Sequence, residues 1–159
     1  MRRDINHDID SIIVDPEDIK QAIRRNHERQ RQGRWVIRIN PPFEGCLKGS
    51  LHLSEQGARY PNKPAPIHIY PEAFLSGKRA EPHDIPEAAQ YPNVTDVMDE
   101  CRKDLGLDDD KRLPEVWKQW WQNALEVWKG EVERHLVDEL DMSNKSVRIQ
   151  YKEGNHGNE

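Results

Sequence analysis

The chain has 159 residues, of which 33% are charged, and its formal net charge is −5 at pH 7. This length is enough to bury the core of one domain. No run of about 18 apolar residues is present, which excludes a membrane-spanning helix. The N-terminal segment lacks the apolar stretch of a signal peptide, and two cysteines, Cys46 and Cys101, are too few for a disulfide framework. A cytoplasmic protein is therefore expected.

Charge is divided unevenly along the chain. Residues 1–80 hold 14 lysines and arginines against 10 acidic residues, and residues 81–159 hold 10 against 19, so the two parts carry +4 and −9. Either the two parts pack against each other in one domain, or the basic part binds an anionic partner such as nucleic acid. The residues that would bind the anion are Arg24, Arg25, Arg29, Arg31 and Arg38.

The first predicted helix follows the apolar run at residues 12–14, which is a short strand or a hydrophobic lead-in. Asp15 suits the N-cap and Pro16 suits the first helical position, and two acidic residues follow at the positive end of the helix dipole. The helix is predicted to run from Pro16 to about Arg31 and to stop at Gly33.

An antiparallel β-meander is predicted to follow this helix. Three runs alternate with the period of two that is typical of a half-buried strand. These runs are residues 34–39, 47–53 and 67–70. Pro41 and Pro42 end the first strand, because proline cannot donate to the ladder. A last alternating run at 147–152 is predicted to return to the same sheet, giving about four strands.

Two helices are predicted in the second half, after an irregular loop at residues 76–91. The first covers residues 94–105 and is ended by Gly106. The second runs from about Leu113 to about Leu140, and its apolar stripe carries four of the five tryptophans. Each tryptophan buries on the order of 150–250 Å², so this helix is predicted to be the main packing partner of the sheet. An exposed aromatic docking strip is the alternative.

The predicted fold class is therefore α+β. A β-meander packs against the N-terminal helix and the long Trp-rich C-terminal helix in a single domain over residues 1–153. Residues 154–159 are predicted to be a disordered tail.

The polar sides of the predicted strands agree in sign. Opposite the apolar residues lie Arg38, Lys48, His52, His68, Arg148 and Lys152, with no carboxylate among them. These six residues are candidate binding residues on a cationic sheet face. Either the acidic helices of the chain cover this face, or an anion or an acidic protein binds it.

Two short motifs carry a resemblance to a known family. The first strand is followed by Pro-Phe-Glu-Gly at 42–45, and Tyr-Pro-Asn-Lys-Pro-Ala-Pro follows at 60–66. Residues 16–70 resemble the ubiquitin-conjugating (E2) superfamily with its RWD relatives, in which a helix precedes a meander with a PYxGG turn and a YPxxPP loop. The resemblance implies a protein partner, such as a ubiquitin-like protein. The PPF turn and the P-x-H-I-x-P-E segment also resemble uncharacterised archaeal proteins, from which no function follows.

The E2 resemblance also implies a catalytic alternative at Cys101. In E2 enzymes the Asn of a His-Pro-Asn motif precedes the nucleophilic cysteine and supports the developing oxyanion. Here Asn93 precedes Cys101 by a similar spacing, which suits a thioester-forming thiolate with an amide donor. Tyr91 stands in place of the family's His, however, and no Trp-x-Pro follows the cysteine. Cys101 also lies on the apolar stripe of a predicted helix, where a free cysteine is usually a small buried hydrophobe.

No metal or cofactor is predicted. Cys46, His52 and His68 share a predicted sheet face, but their spacing matches no zinc pattern, and glycine-rich phosphate-binding signatures are absent. The leading hypothesis is a non-catalytic protein-interaction domain of the E2-variant or RWD type. The alternatives are an E2-like enzyme that forms a thioester on Cys101, and anion or nucleic-acid binding through the basic part.

Overall fold

The computed structural model describes residues 8–28, 33–54, 64–78, 85–107, 115–142 and 145–153. The predicted α+β class is confirmed, because the described residues contain both helices and sheets. The chain divides into two units, one formed by residues 1–86 and 136–159 and the other by residues 87–135. A single domain over residues 1–153 stays a prediction. The predicted tail, together with Arg29 and Arg31 of the anion-binding hypothesis, lies outside the described residues.

The elements of the first unit are, in chain order, β1 (Ile9–Val14), α1 (Pro16–Glu28), β2 (Arg34–Ile39), β3 (Gly45–Lys48), β4 (Ser50–Ser54), β5 (Ile67–Ile69), α2 (Ala73–Ser76), β6 (Glu139–Met142) and β7 (Lys145–Tyr151). The second unit contains a 3₁₀ turn (Glu87–Ala89), α3 (Val94–Leu105) and α4 (Trp117–Arg134). None of these helices has both the length and the apolarity that crossing a bilayer demands, within the residues described.

Two sheets make up the first unit. One is four-stranded with the order β3-β1-β7-β6, in which β1 pairs in parallel with β3 and β7, and β6 pairs antiparallel with β7. The other is antiparallel with the order β4-β2-β5. The strands β1 and β2, each with a hydrogen-bonded neighbour on both sides, carry fully buried side chains, including Ile12 and Ile37.

Helix α1 begins as the sequence predicts and packs on one face of the three-stranded sheet. The Asp15 carboxylate accepts the Glu17 N–H at 2.9 Å, which caps the first turn. At the other end, the Asn26 side chain accepts the Trp35 N–H at 2.6 Å and donates to the Trp35 carbonyl at 2.9 Å. The Arg25 guanidinium lies 4.4 Å from the centroid of the Trp35 ring. The helix therefore covers the face of β2 on which Trp35 lies.

Gly49 separates two strands that the sequence pattern predicts to be one. β3 belongs to the four-stranded sheet and β4 to the three-stranded sheet, so the run at 47–53 is divided. A Cβ atom at Gly49 would lie 2.5 Å from Cγ2 of Ile37, and the Gly49 N–H donates to the Ile13 carbonyl at 2.8 Å. The chain thus passes from one sheet to the other where there is no room for a side chain.

The strand order also differs from the predicted single meander. β2 lies between β4 and β5, and β7 joins the sheet of β1 instead of the sheet of β2. The alternating pattern predicted each of these strands but not its partner, because a period of two specifies the buried face of a strand and nothing about its neighbours.

The second unit is built from two helices and the turn before them. Gly106 ends α3 with a left-handed backbone at φ 67°, as the sequence predicts. The Asn93 side chain caps the start of α3. α4 packs against α3 and against the 3₁₀ turn. Trp128 of α4 is buried, and its Nε1 donates to the Ala89 carbonyl at 3.0 Å. The Tyr91 ring packs edge-on against the Trp128 ring, with 4.8 Å between the two ring centroids.

The long helix is shorter than predicted at its C-terminal end. It ends at Arg134, and residues 139–142 form β6 instead of a last helical turn. In β6 the buried Leu140 and Met142 alternate with the exposed Glu139 and Asp141. An apolar residue four positions after another satisfies both the helical and the strand period, so Leu140 was assigned to the wrong element.

Candidate functional site

The second unit contains a groove that is lined by α4, α3 and the segment before α3. Its volume is about 450 Å³, and its lining includes Trp120, Ala124 and Val127 of α4 with Val97 and Glu100 of α3. This volume is in the range of about 300–1,000 Å³ that is usual for binding pockets.

Val127 is the most exposed large apolar side chain among the described residues, with 65% of its surface accessible. It lies next to the buried Trp128 along α4, and both side chains line the groove. The sequence interpretation missed Val127. The signal that identifies it is its spacing, because Val127 comes three residues after Ala124 and seven after Trp120, on the same side of the helix.

The unit that contains this groove has a negative net charge. Residues 87–135 contain 12 acidic residues against 7 lysines and arginines, which gives a net charge of −5. Glu100 lines the groove itself and is exposed. An apolar groove in an acidic unit favours a ligand that is both apolar and cationic.

In the first unit, three of the six predicted binding residues lie together. In the three-stranded sheet, Arg38 of β2 pairs with His68 of β5, and Val36 of β2 pairs with His52 of β4. Val36 and Arg38 are two residues apart, so these side chains all lie on one face of the sheet. One guanidinium nitrogen of Arg38 lies 3.2 Å from Nε2 of His52, and the rings of His52 and His68 are 5.3 Å apart between centroids. Burial, followed by the charge of Arg38, lowers the pKa of His52 below its ordinary value.

The other three predicted binding residues lie in or beside the four-stranded sheet. They are Lys48 on β3, Arg148 on β7 and Lys152 just after β7. Arg148 lies directly across from Glu139 in the β6–β7 pair, and Asp141 pairs with Ser146 on the same face. The six residues therefore do not form one cationic face, because the chain distributes them between two sheets and places carboxylates beside Arg148.

Asn93 and Cys101 both lie on α3, and each contributes to the local structure. Oδ1 of Asn93 accepts the Asp96 N–H at 3.2 Å, which is the usual contact of an N-cap. Cys101 has no exposed surface and is one of the two buried residues of α3, with Val97. The thiol is thus inaccessible to an acyl donor in this conformation. Cys46, in contrast, is exposed on β3.

Within the parts of the chain that the structure describes, no group of three or more histidine, cysteine, aspartate or glutamate side chains is arranged to hold a metal ion. In particular, His52 and His68 have Arg38 as their neighbour, whose positive charge opposes a bound cation.

Comparison with known proteins gives one match. No curated protein and no solved structure matched the chain. Residues 1–152 match the protein family described as a domain of unknown function (DUF8009). Because this match spans nearly the whole sequence, the chain belongs to the DUF8009 family.

Proposed function

We propose that this protein is a non-catalytic protein-interaction domain, and that the groove of the second unit binds a short amphipathic helix with basic residues from a partner protein. The observation that supports this proposal is the exposure of Val127 in a groove whose lining also includes Trp120, Ala124 and Val97, together with polar residues such as Glu100. Exposed apolar surface in a concave site is a common mark of a protein-binding surface.

A helix is the element that suits this groove. An amphipathic helix places apolar side chains at every third and fourth position, so one face of it inserts into a groove between two helices. The binding energy then comes from a few apolar anchors, and the acidic side chains around the groove select basic residues on the polar face of the helix.

The E2-variant or RWD assignment does not support this proposal by itself. α1 does precede β2 as the resemblance implies, but β2 lies between β4 and β5 and does not begin a sequential meander. A non-catalytic function agrees with the fully buried Cys101 and with the capping role of Asn93. Neither residue is expected to contribute to binding.

The experiment uses a fluorescent peptide of about 18 residues, or five helical turns, patterned with leucine and lysine as an amphipathic helix. Its binding to the full-length protein is measured by fluorescence anisotropy. The variant Val127→Asp is expected to weaken binding more than about tenfold, because it would bury an unpaired carboxylate against the leucine face. Val116→Asp is the matched control, since Val116 is also exposed but does not line the groove.

The negative charge that Val127→Asp introduces distinguishes insertion into the groove from nonspecific attraction of the basic peptide. Val127→Asp makes the unit more acidic, so nonspecific attraction of a basic peptide would become stronger, whereas insertion into the groove would be lost. Equal affinity for the wild type, Val127→Asp and Val116→Asp would contradict the proposal. A double variant, Cys46→Ser with Cys101→Ser, is expected to bind the peptide as the wild type does, and a loss of binding with normal folding would argue against a non-catalytic role.

A further inference from the structure

The described part of the chain contains four edge strands, and β4 (Ser50–Ser54) differs from the other three. β3 carries Lys48, β6 carries Glu139 and Asp141, and β5 is only three residues long. Charged side chains and short length are the usual protection of an edge strand against pairing with another strand. β4 is five residues long and contains no lysine, arginine, carboxylate or proline. It is therefore the edge that is most open to a further strand.

The accessible side of the three-stranded sheet is its β4 edge, because both faces of the sheet are covered at β2. Val36 and Ile37 lie on opposite faces of β2, and both are buried. Among the described residues, β4 pairs with β2 only, so every second residue of β4 points its N–H and C=O groups away from the sheet. Leu51 and Leu53 pair with Ile37 and Trp35, yet both are only half-buried. Apolar surface therefore remains accessible at this edge, beside backbone groups that can bind another strand.

The sequence of β4 is the same in both directions. Ser50 and Ser54 are its ends, Leu51 and Leu53 come next, and His52 is at the centre. If two copies of this strand pair antiparallel about a twofold axis at His52, each serine lies opposite a serine and each leucine opposite a leucine. Cross-strand pairs of hydroxyl side chains and of apolar side chains stabilise a sheet. The strand is therefore self-complementary, which is what a twofold-symmetric interface requires.

We propose that β4 pairs with β4 of a second copy of this chain, antiparallel and centred on His52, so that the three-stranded sheets of the two copies join into one continuous sheet. Backbone hydrogen bonds between the two strands supply the affinity, and the matched side chains fix the register. This surface lies in the first unit, and the proposal goes beyond the groove proposal and does not depend on it.

The charge of β4 is compatible with pairing to its own copy. The serine and leucine side chains are uncharged, and His52 is the residue that faces itself across the twofold axis. Burial, followed by the charge of Arg38, lowers the pKa of His52, so its ring is mostly neutral at neutral pH. No like charges on the two strands therefore oppose each other. A pair of five-residue strands is a small interface, and interfaces below about 1,200 Å² are mostly transient, so we expect a dimer that dissociates on dilution.

Sedimentation velocity of the full chain, from micromolar to millimolar concentration at about pH 7.5, measures the dimer. His52→Lys and His52→Glu each place like charges opposite each other, and each is expected to weaken dimerisation by about tenfold or more. An equimolar mixture of the two variants is expected to dimerise again, because lysine then lies opposite glutamate. His68→Lys and His68→Glu are the matched controls, since His68 also lies near Arg38 but on the opposite edge of the sheet. They are expected to dimerise as the wild type does.

Disulfide cross-linking tests the register without the charged variants. In a Cys46→Ser background, His52→Cys is expected to link to its own copy under mild oxidation, as read by intact mass. Ser50→Cys is expected not to link, because position 50 faces Ser54 of the second copy.

Three outcomes would overturn the proposal. A chain that stays monomeric at every concentration would leave this edge to a strand of another protein. Dimers that survive both charged substitutions at His52, or cross-linking of Ser50→Cys as readily as His52→Cys, would place the interface elsewhere or in another register. Continued growth into larger assemblies would indicate head-to-tail pairing of β4 with β5.

Discussion

Adjacent residues of α4 provide a sharp test of which side of this helix is buried. Trp128 is 3% exposed, whereas Val127 is 65% exposed. Trp128→Ala removes a buried aromatic side chain and is expected to lower the free energy of unfolding by about 3–5 kcal/mol. Part of that loss, about 1–3 kcal/mol, comes from the Ala89 carbonyl, which loses the hydrogen bond that Trp128 donates at 3.0 Å.

Val127→Ala is the control for this measurement, and it is expected to change stability by no more than about 0.5 kcal/mol. Urea unfolding followed by far-UV circular dichroism measures both variants against the wild type. Trp128→Phe, which keeps an aromatic ring but not the N–H donor, is expected to lie between the wild type and Trp128→Ala. If Val127→Ala destabilises the protein as much as Trp128→Ala does, the assignment of the two sides of α4 is wrong.

Three further predictions concern the remaining candidate residues. The free energy of unfolding should fall as the pH drops below about 6.5. The reason is that the pKa values of His52 and His68 are lowered in the folded protein, so the unfolded chain binds more protons. Replacing both histidines with Gln should flatten this pH dependence, as measured by urea titrations. Asn93→Ala should lower the free energy of unfolding by about 1 kcal/mol, because it removes the cap of α3, whereas Asn93→Asp keeps a capping side chain and should leave the stability nearly unchanged. Cys46 should be alkylated quickly in the folded protein and Cys101 only in denaturant, as read by intact mass; rapid labelling of Cys101 would contradict its burial.

Local signals in the sequence were sufficient for the start of α1, but not for the cap of α3, where Asn93 was interpreted as a catalytic amide donor. The Asp15 side chain is well suited to accept a backbone N–H group in the first turn of a helix, so this cap could be predicted without knowledge of the tertiary structure. Gly106 could be predicted in the same way, because a left-handed residue after a helix favours glycine.

Strand partners required information that the local pattern does not contain. Gly49 divides one alternating run between two sheets because of a close approach to Ile37, which is far from it in sequence. The predicted cationic sheet face illustrates the same limit. Alternation predicted that Arg38, His52 and Arg148 lie opposite the apolar side of their strands, but only the pairing shows that Arg148 is in the other sheet.

The spacing that resembles an E2 catalytic segment has a structural explanation in this chain. Tyr91 packs edge-on against Trp128 at 4.8 Å, and Asn93 caps the helix that follows. Residues four and eight positions after a cap lie on nearly the same side of a helix, and here they are Val97 and Cys101, the two buried residues of α3. Tyr91, Asn93 and Cys101 therefore each have a structural role in this unit, so their spacing is explained without acyl transfer.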